Sequence, residues 1–227
     1  MAGATVLFLS SEVAARYEDL VAARGARSVI ENAPGVVAPP DARSWARAAS
    51  EAALFNWLLL PTMHAAQALL AATGAPPASN QRVAAVGAAG DVLRAVGREP
   101  EVEAHGLRAL CDRLEGSLGR RQRVLVPHAA VAGRSIGDWL TRLGADPLCI
   151  AAYGLEFSAP WPPHEGPRIA ILGNPAEAEA LAARGPRPGL IAAALTVGAA
   201  DAAEDCGLIA VQLPAERLGP FLDEALS

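Results

Sequence analysis

The chain has 227 residues, 52 % of them hydrophobic and 19 % charged, with a formal net charge of −5. That much apolar material can build one large core or two small ones and excludes a disordered chain. The acidic balance argues against a nucleic-acid partner, which selects for a basic face.

The opening MAGATVLFLSSEVAARY has no basic stretch, and its apolar run is too short for a signal or a membrane span. A cytoplasmic protein with no membrane association is therefore expected. Cys111, Cys149 and Cys206 are odd in number and far apart, which fits reduced thiols packed as small hydrophobes. His64, His105, His128 and His164 form no HxH or HxxxH pair, so no metal site is expected. Every basic residue is arginine. A Schiff-base lysine and a phosphate-loop lysine are thus impossible, and carboxylates must be held by arginine forks, hydroxyls or backbone amides. Neither GxxxxGK[ST] nor GxSxG occurs, and VGAAG carries only a fragment of the dinucleotide fingerprint.

In chain order, Val6–Leu9 reads as a buried strand and Glu12–Arg24 as a helix stopped by Gly25. Arg27–Pro39 is extended and punctuated by proline. Asp41 or Ser44 caps a helix running through Phe55. Trp57–Leu60 is a strand, Pro61-Thr62 a turn, and Ala65–Ala72 a helix. After the loop GAPPASNQ come a strand at Arg82–Val86 and a helix from Gly87 to Val96. Glu101–Glu103 reads as a short edge strand, Leu107–Leu118 as an amphipathic helix, Arg123–Val126 as a strand and Ser135–Leu143 as a helix. Leu148–Ala152 is the next strand, inside DPLCIAAYGLEF (Asp146–Phe157). SAPWPPHEGP follows, ten residues with four prolines, which suit neither a helix nor a central strand. Then Arg168–Leu172, Leu190–Leu195 and Leu208–Leu213 read as strands. Ala176–Ala183, Gly198–Asp205 and Leu218–Leu226 read as helices, with Asn174-Pro175 opening the first.

This alternation predicts an α/β protein with parallel sheets, and the strand number favours two domains. RVAAVGAAGDVLRAVG and LIAAALTVGAADAAEDCG echo one another as strand, glycine turn and helix.

In an open parallel sheet, ligands meet the turns after the strands' carboxyl ends, where helix N-termini offer free amides. The residues expected there are Ser10, Ser11, Thr62, His64, Gly87, Ala88, His128, Arg134, Asn174, Thr196 and Gly198. Each is also an ordinary capping or turn residue. Together they predict a cleft of amide donors suited to an anionic ligand. Tyr153, one of two tyrosines, either packs half-buried in its strand or faces that cleft.

Three stretches carry a family resemblance: NWLLLPTMHAAQALL, RVAAVGAAGDVLRAVG and RVLVPHAAVAGRSIGDWLTRLGADPLCIAAYGLEF. Their order of strand, turn and helix resembles the uroporphyrinogen-III synthase family over nearly the whole chain. The resemblance implies two similar parallel-sheet α/β domains joined by two crossing hinge strands. The first is discontinuous, residues 1–33 plus 155–227, and the second, residues 34–154, is inserted. It also implies a monomeric hydro-lyase that closes the linear tetrapyrrole hydroxymethylbilane to uroporphyrinogen III in an interdomain cleft, without a cofactor. Tyr153 matches the family's tyrosine and would be its proton donor, and Arg134 matches a glycine-arginine position. Ser10-Ser11 stand where an arginine is expected, and Gly87-Ala88-Ala89-Gly90 replaces Gly-Pro-x-Thr. These departures keep open a relative recruited to another small-molecule cyclisation, or to binding and regulation alone.

Overall fold

The computed structural model describes residues 4–31, 33–157, 168–185 and 188–226. The SAPWPPHEGP stretch with His164 lies outside the described residues. The chain divides into two compact units, Met1–Gly35 with Glu156–Ser227, and Val36–Leu155.

The first unit is built on a five-stranded sheet. β1 (Thr5–Phe8), β2 (Arg27–Ile30), β9 (Ile169–Leu172), β10 (Ile191–Ala194) and β11 (Ala210–Gln212) lie in the order β11-β10-β9-β1-β2. Their ladders are parallel. β1 and β9 are buried along their whole length. That is why they read as unbroken apolar runs rather than as alternating ones. The helices α1 (Ser11–Ala22), α7 (Pro175–Arg184), α8 (Val197–Asp205) and α9 (Leu218–Ala225) connect and cover the strands. Two apolar clusters result, one around Leu7, Leu172 and Leu181, the other around Phe8, Ile171 and Leu222.

The second unit holds a six-stranded sheet. β3 (Gly35–Val37), β4 (Trp57–Leu60), β5 (Arg82–Val86), β6 (Val102–Ala104), β7 (Arg123–Ala129) and β8 (Asp146–Glu156) lie in the order β3-β8-β7-β4-β5-β6. The ladders joining β8 through β6 are parallel. The helices are α2 (Ala42–Ser50), α3 (Met63–Thr73), α4 (Ala88–Ala95), α5 (Leu107–Leu114) and α6 (Arg134–Arg142). One cluster, around Leu58, Leu60, Leu69 and Leu125, packs on one face; the other, around Trp57, Leu59, Leu110 and Val126, packs on the opposite face. The α/β class with parallel sheets is as expected. The two echoing segments also hold matching places: β5 leads through α4 to a parallel neighbour, β6, and β10 leads through α8 to β11.

Several boundaries differ from the sequence reading, each for a local reason. The helix expected through Phe55 stops at Ser50, and a 3-10 turn (Ala52–Leu54) follows. Ser50 Oγ donates to the Arg47 carbonyl at 2.8 Å and so satisfies one of the terminal acceptors. The helix expected through Leu118 ends at Leu114, with Gly116 at φ +80° just beyond. β7 runs on through Pro127 to Ala129. Its ladder to β4 ends at Leu125, so Pro127 interrupts no hydrogen bond on that side. The extended stretch Arg27–Pro39 becomes two short strands in different sheets, β2 and β3.

Candidate active site

Parallel strands end together, so the residues that follow neighbouring strands share one edge of a sheet. In the first unit Ser10, Asn174 and Thr196 follow β1, β9 and β10, which are adjacent. All three are helix N-caps. Ser10 Oγ accepts from the Val13 amide (3.3 Å), Asn174 Oδ1 from Glu177 (3.1 Å) and Thr196 Oγ1 from Ala199 (3.1 Å). Asn174 Nδ2 also donates to Glu177 Oε1 at 2.9 Å, and the Gly173 amide donates to Glu177 Oε2 at 2.6 Å. This is a variant of the capping box, with Glu177 reaching back to the Gly173 amide and the Asn174 side chain, and it is spelled out in the sequence as Asn174-Pro175-Ala176-Glu177. Thr196 Oγ1 donates to the Gly173 carbonyl at 3.1 Å. Ser11 is exposed, and Gly198 is buried in the first turn of α8. These side-chain oxygens are largely engaged in holding the backbone. Asn174→Ala is expected to cost about 1 kcal/mol of stability. Denaturant unfolding checks it, and an unchanged midpoint would show that the box contributes nothing.

In the second unit Thr62, Gly87, His128 and Tyr153 come from β4, β5, β7 and β8 or the turns just after them. Thr62 caps α3, its Oγ1 accepting from the Ala65 amide at 3.2 Å. The same oxygen lies 2.8 Å from the Tyr153 hydroxyl. Tyr153 is only 1 % exposed and Thr62 5 %, so the pair is shielded from bulk water. His64, half-buried in the first turn of α3, presents its ring edge-on to Tyr153, with centroids 5.6 Å apart and planes at 66°. Its Nδ1 is buried and has no hydrogen-bond partner among the described residues. Burial holds the imidazole below its ordinary pKa, so the ring is neutral near pH 7.

The remaining residues stand elsewhere than expected, or do something else. His128 belongs to β7 itself, not to a turn after it, and is 8 % exposed. Its Nδ1 lies 2.7 Å from the Ala129 carbonyl oxygen. Gly87, expected to point its amide outward, donates it to the Ala104 carbonyl at 3.0 Å. Ala88 and Arg134 are exposed at the starts of α4 and α6. Tyr153 is fully buried rather than half-buried. Among the described residues no group of three His, Cys, Asp or Glu could hold a metal ion, and no helix is long and apolar enough to cross a membrane.

The second-unit set lies inside the span of a family match. Residues 15–172, more than half of the chain, match the family described as uroporphyrinogen-III synthase HemD. The chain belongs to the uroporphyrinogen-III synthase family. These synthases are lyases of tetrapyrrole and heme biosynthesis. The match takes in Thr62, His64, Gly87, Ala88, His128, Arg134 and Tyr153, and leaves out Ser10, Ser11, Asn174, Thr196 and Gly198. In fold, the chain is similar to a mutant uroporphyrinogen-III synthase from the extreme thermophile Thermus thermophilus. That similarity has a TM-score of 0.56 at 18 % identity, over 98 % of this chain and 97 % of that one. A second Thermus thermophilus uroporphyrinogen-III synthase structure gives 0.51 at 18 % identity, over 99 % and 100 %. No sequence among curated proteins matches the chain.

Proposed function

We propose that the chain converts hydroxymethylbilane to uroporphyrinogen III, with Tyr153 as the proton donor. The reading rests on one contact, the Tyr153 hydroxyl 2.8 Å from Thr62 Oγ1 within the segment that matches the synthase family. In this reaction the C–O bond of the substrate's terminal hydroxymethyl group breaks. A proton supplied to that oxygen lets it leave as water. The cation left behind is spread over the terminal pyrrole as an azafulvene, and the substrate's own pyrrole carbons then close the ring through a spiro intermediate. Pyrrole nitrogens drive each step, so no cofactor is called for. The protein's tasks are to fold the chain, to hold its carboxylates and to assist departure of hydroxide. A neutral phenol is suited to the last of these, being a weak acid that keeps its proton at pH 7 until negative charge develops on the acceptor.

The test is chromatography of the oxidised products formed when the protein meets hydroxymethylbilane. Isomer III is expected; isomer I alone, the product of spontaneous closure, would overturn the proposal. Tyr153→Phe should slow turnover by about tenfold or more while leaving the fold intact. An unchanged rate would retire Tyr153 as the donor. Ser10, Ser11, Thr62, His64, Gly87, Ala88, His128, Arg134, Asn174, Thr196 and Gly198 remain proposed substrate contacts. The same reading makes the protein a cytoplasmic monomer with no nucleic-acid partner, and a sedimentation mass of two chains would correct that.

A further inference from the structure

The direction in which Tyr153 points is set by a break in the sheet. β7 and β8 pair in register from Arg123↔Asp146 to His128↔Ala151, and then Ala129 pairs with Tyr153. One step along β7 therefore answers two steps along β8, and Ala152 is the extra residue. Such bulges are rare between parallel strands and are found beside active sites, where they re-aim a side chain. Here the effect can be followed residue by residue. Cys149 packs on the Trp57 face of the sheet, while Ile150 and Ala152 pack on the Leu58 face, as strict alternation requires. Continued alternation would send Tyr153 to the Trp57 face. Instead Tyr153 lies on the Leu58 face with Ala152, and Leu155 follows it there. Thr62 opens α3, whose Ala65, Ala66 and Leu69 pack into that same cluster. Without the extra residue the phenol and the threonine hydroxyl would lie on opposite sides of the sheet.

We propose that Thr62 is the positioning residue for Tyr153, and that the two hydroxyls work as one unit assembled by the Ala152 bulge. This rests on the reading of Tyr153 as the proton donor. Thr62 Oγ1 already accepts the Ala65 amide hydrogen at 3.2 Å. The 2.8 Å contact can be donated by either hydroxyl, and for Tyr153 to give its own proton to the substrate the Thr62 hydrogen must be the one shared between them. A donor on that oxygen favours the phenolate that remains once the phenol proton has moved to the departing hydroxide. It also fixes the phenol's rotation. The O–H bond of Tyr153 breaks, the proton joins the hydroxide as water, and the Thr62 hydrogen bond holds the anion until the proton lost at ring closure restores it. His64, edge-on to the ring, closes another side of the phenol.

The experiment combines kinetics with a spectroscopic readout that does not need turnover. Thr62→Val should lower kcat by about tenfold with KM little changed, and Thr62→Ser should restore it. The Thr62→Val/Tyr153→Phe double variant should be no slower than Tyr153→Phe alone, because a positioning residue has nothing left to position. Additive losses, or a raised KM with kcat unchanged, would overturn the proposal and leave Thr62 as a substrate contact with no positioning role. Because the chain has only two tyrosines, Tyr17→Phe leaves Tyr153 as a single reporter in protein labelled with 13C at the tyrosine ζ carbon. Its resonance should move in Thr62→Val and return in Thr62→Ser; an unmoved resonance would refute the hydroxyl pair. If Thr62→Val fails to fold, Thr62→Ala is read in the same way. If the resonance moves but the wild-type protein makes no isomer III, the pair stands and the proposed reaction is what fails.

Discussion

Arg184→Ala is expected to destabilise the first unit by about 3–5 kcal/mol, because it breaks a buried ion pair from one side. The Arg184 side chain is 6 % exposed and that of Glu31 is 13 % exposed, and the guanidinium and carboxylate are in direct contact. Arg184 closes α7, where the free carbonyls favour a cation, and its guanidinium also lies 4.4 Å from the Phe157 ring centre. Glu31 follows β2. Its second carboxylate oxygen has no hydrogen-bond partner among the described residues. Truncation at Arg184 would therefore strand a carboxylate that burial has already separated from water, and would uncover one face of Phe157. The pair itself need not stabilise, since desolvating two ions offsets most of their attraction. An Arg184→Met/Glu31→Leu variant should accordingly regain most of what the single change loses. Denaturant titration, read through hydrogen exchange of the β1 and β9 amides, measures both. A loss under about 1 kcal/mol for Arg184→Ala would mean that the carboxylate remains hydrated and that no buried charge is stranded.

The contrast between Thr62 and Tyr153 shows what can be read along a chain and what cannot. Thr62 stands between an apolar run and a helical pattern, so its capping role follows from local chemistry. The alternation of strands and helices is legible for the same reason, since buried runs such as Val6–Leu9 and Trp57–Leu60 are continuous and are bounded by polar, glycine or proline residues. The orientation of Tyr153 depends on how many residues of β8 answer each residue of β7. That is a property of two strands about 25 positions apart, and no period within DPLCIAAYGLEF reveals it. His128 reads as a turn residue because a proline precedes it, and a proline signals the end of a strand. Pro127 is tolerated only because β4 has already stopped pairing on that side. The capping residues of the first unit show a second limit. Ser10, Asn174 and Thr196 do stand at strand ends, but their oxygens are already bonded to backbone amides. A chemical reading of strand ends must subtract what the helices themselves consume.

Gly133→Ala should cost about 2–4 kcal/mol, the sum of a backbone strain and a steric clash. Gly133 precedes α6 with φ at +89° and ψ at 8°, a conformation that an L side chain adopts at a cost of about 1 kcal/mol or more. A Cβ there would lie 2.5 Å from His128 Nε2 and 2.6 Å from its Cε1. The ring has little freedom to yield, since it is buried and its Nδ1 is held 2.7 Å from the Ala129 carbonyl oxygen. The glycine of the glycine-arginine pair therefore has a reason of its own, independent of Arg134, which is exposed. A double-variant cycle separates the two contributions. In a His128→Ala background the clash is gone, and Gly133→Ala should cost only the backbone part, about 1–2 kcal/mol. Equal costs in both backgrounds would show that the ring is not what the glycine accommodates. The change should also reach the site. His128 is the last β7 residue before the register shift, and Ala129 beyond it pairs with Tyr153. A ring forced out of its place against Gly133 pushes on the strand where the bulge forms. Gly133→Ala should therefore move the Tyr153 ζ-carbon resonance as well as the unfolding midpoint, whereas Asn174→Ala, in the other unit, should move only the latter.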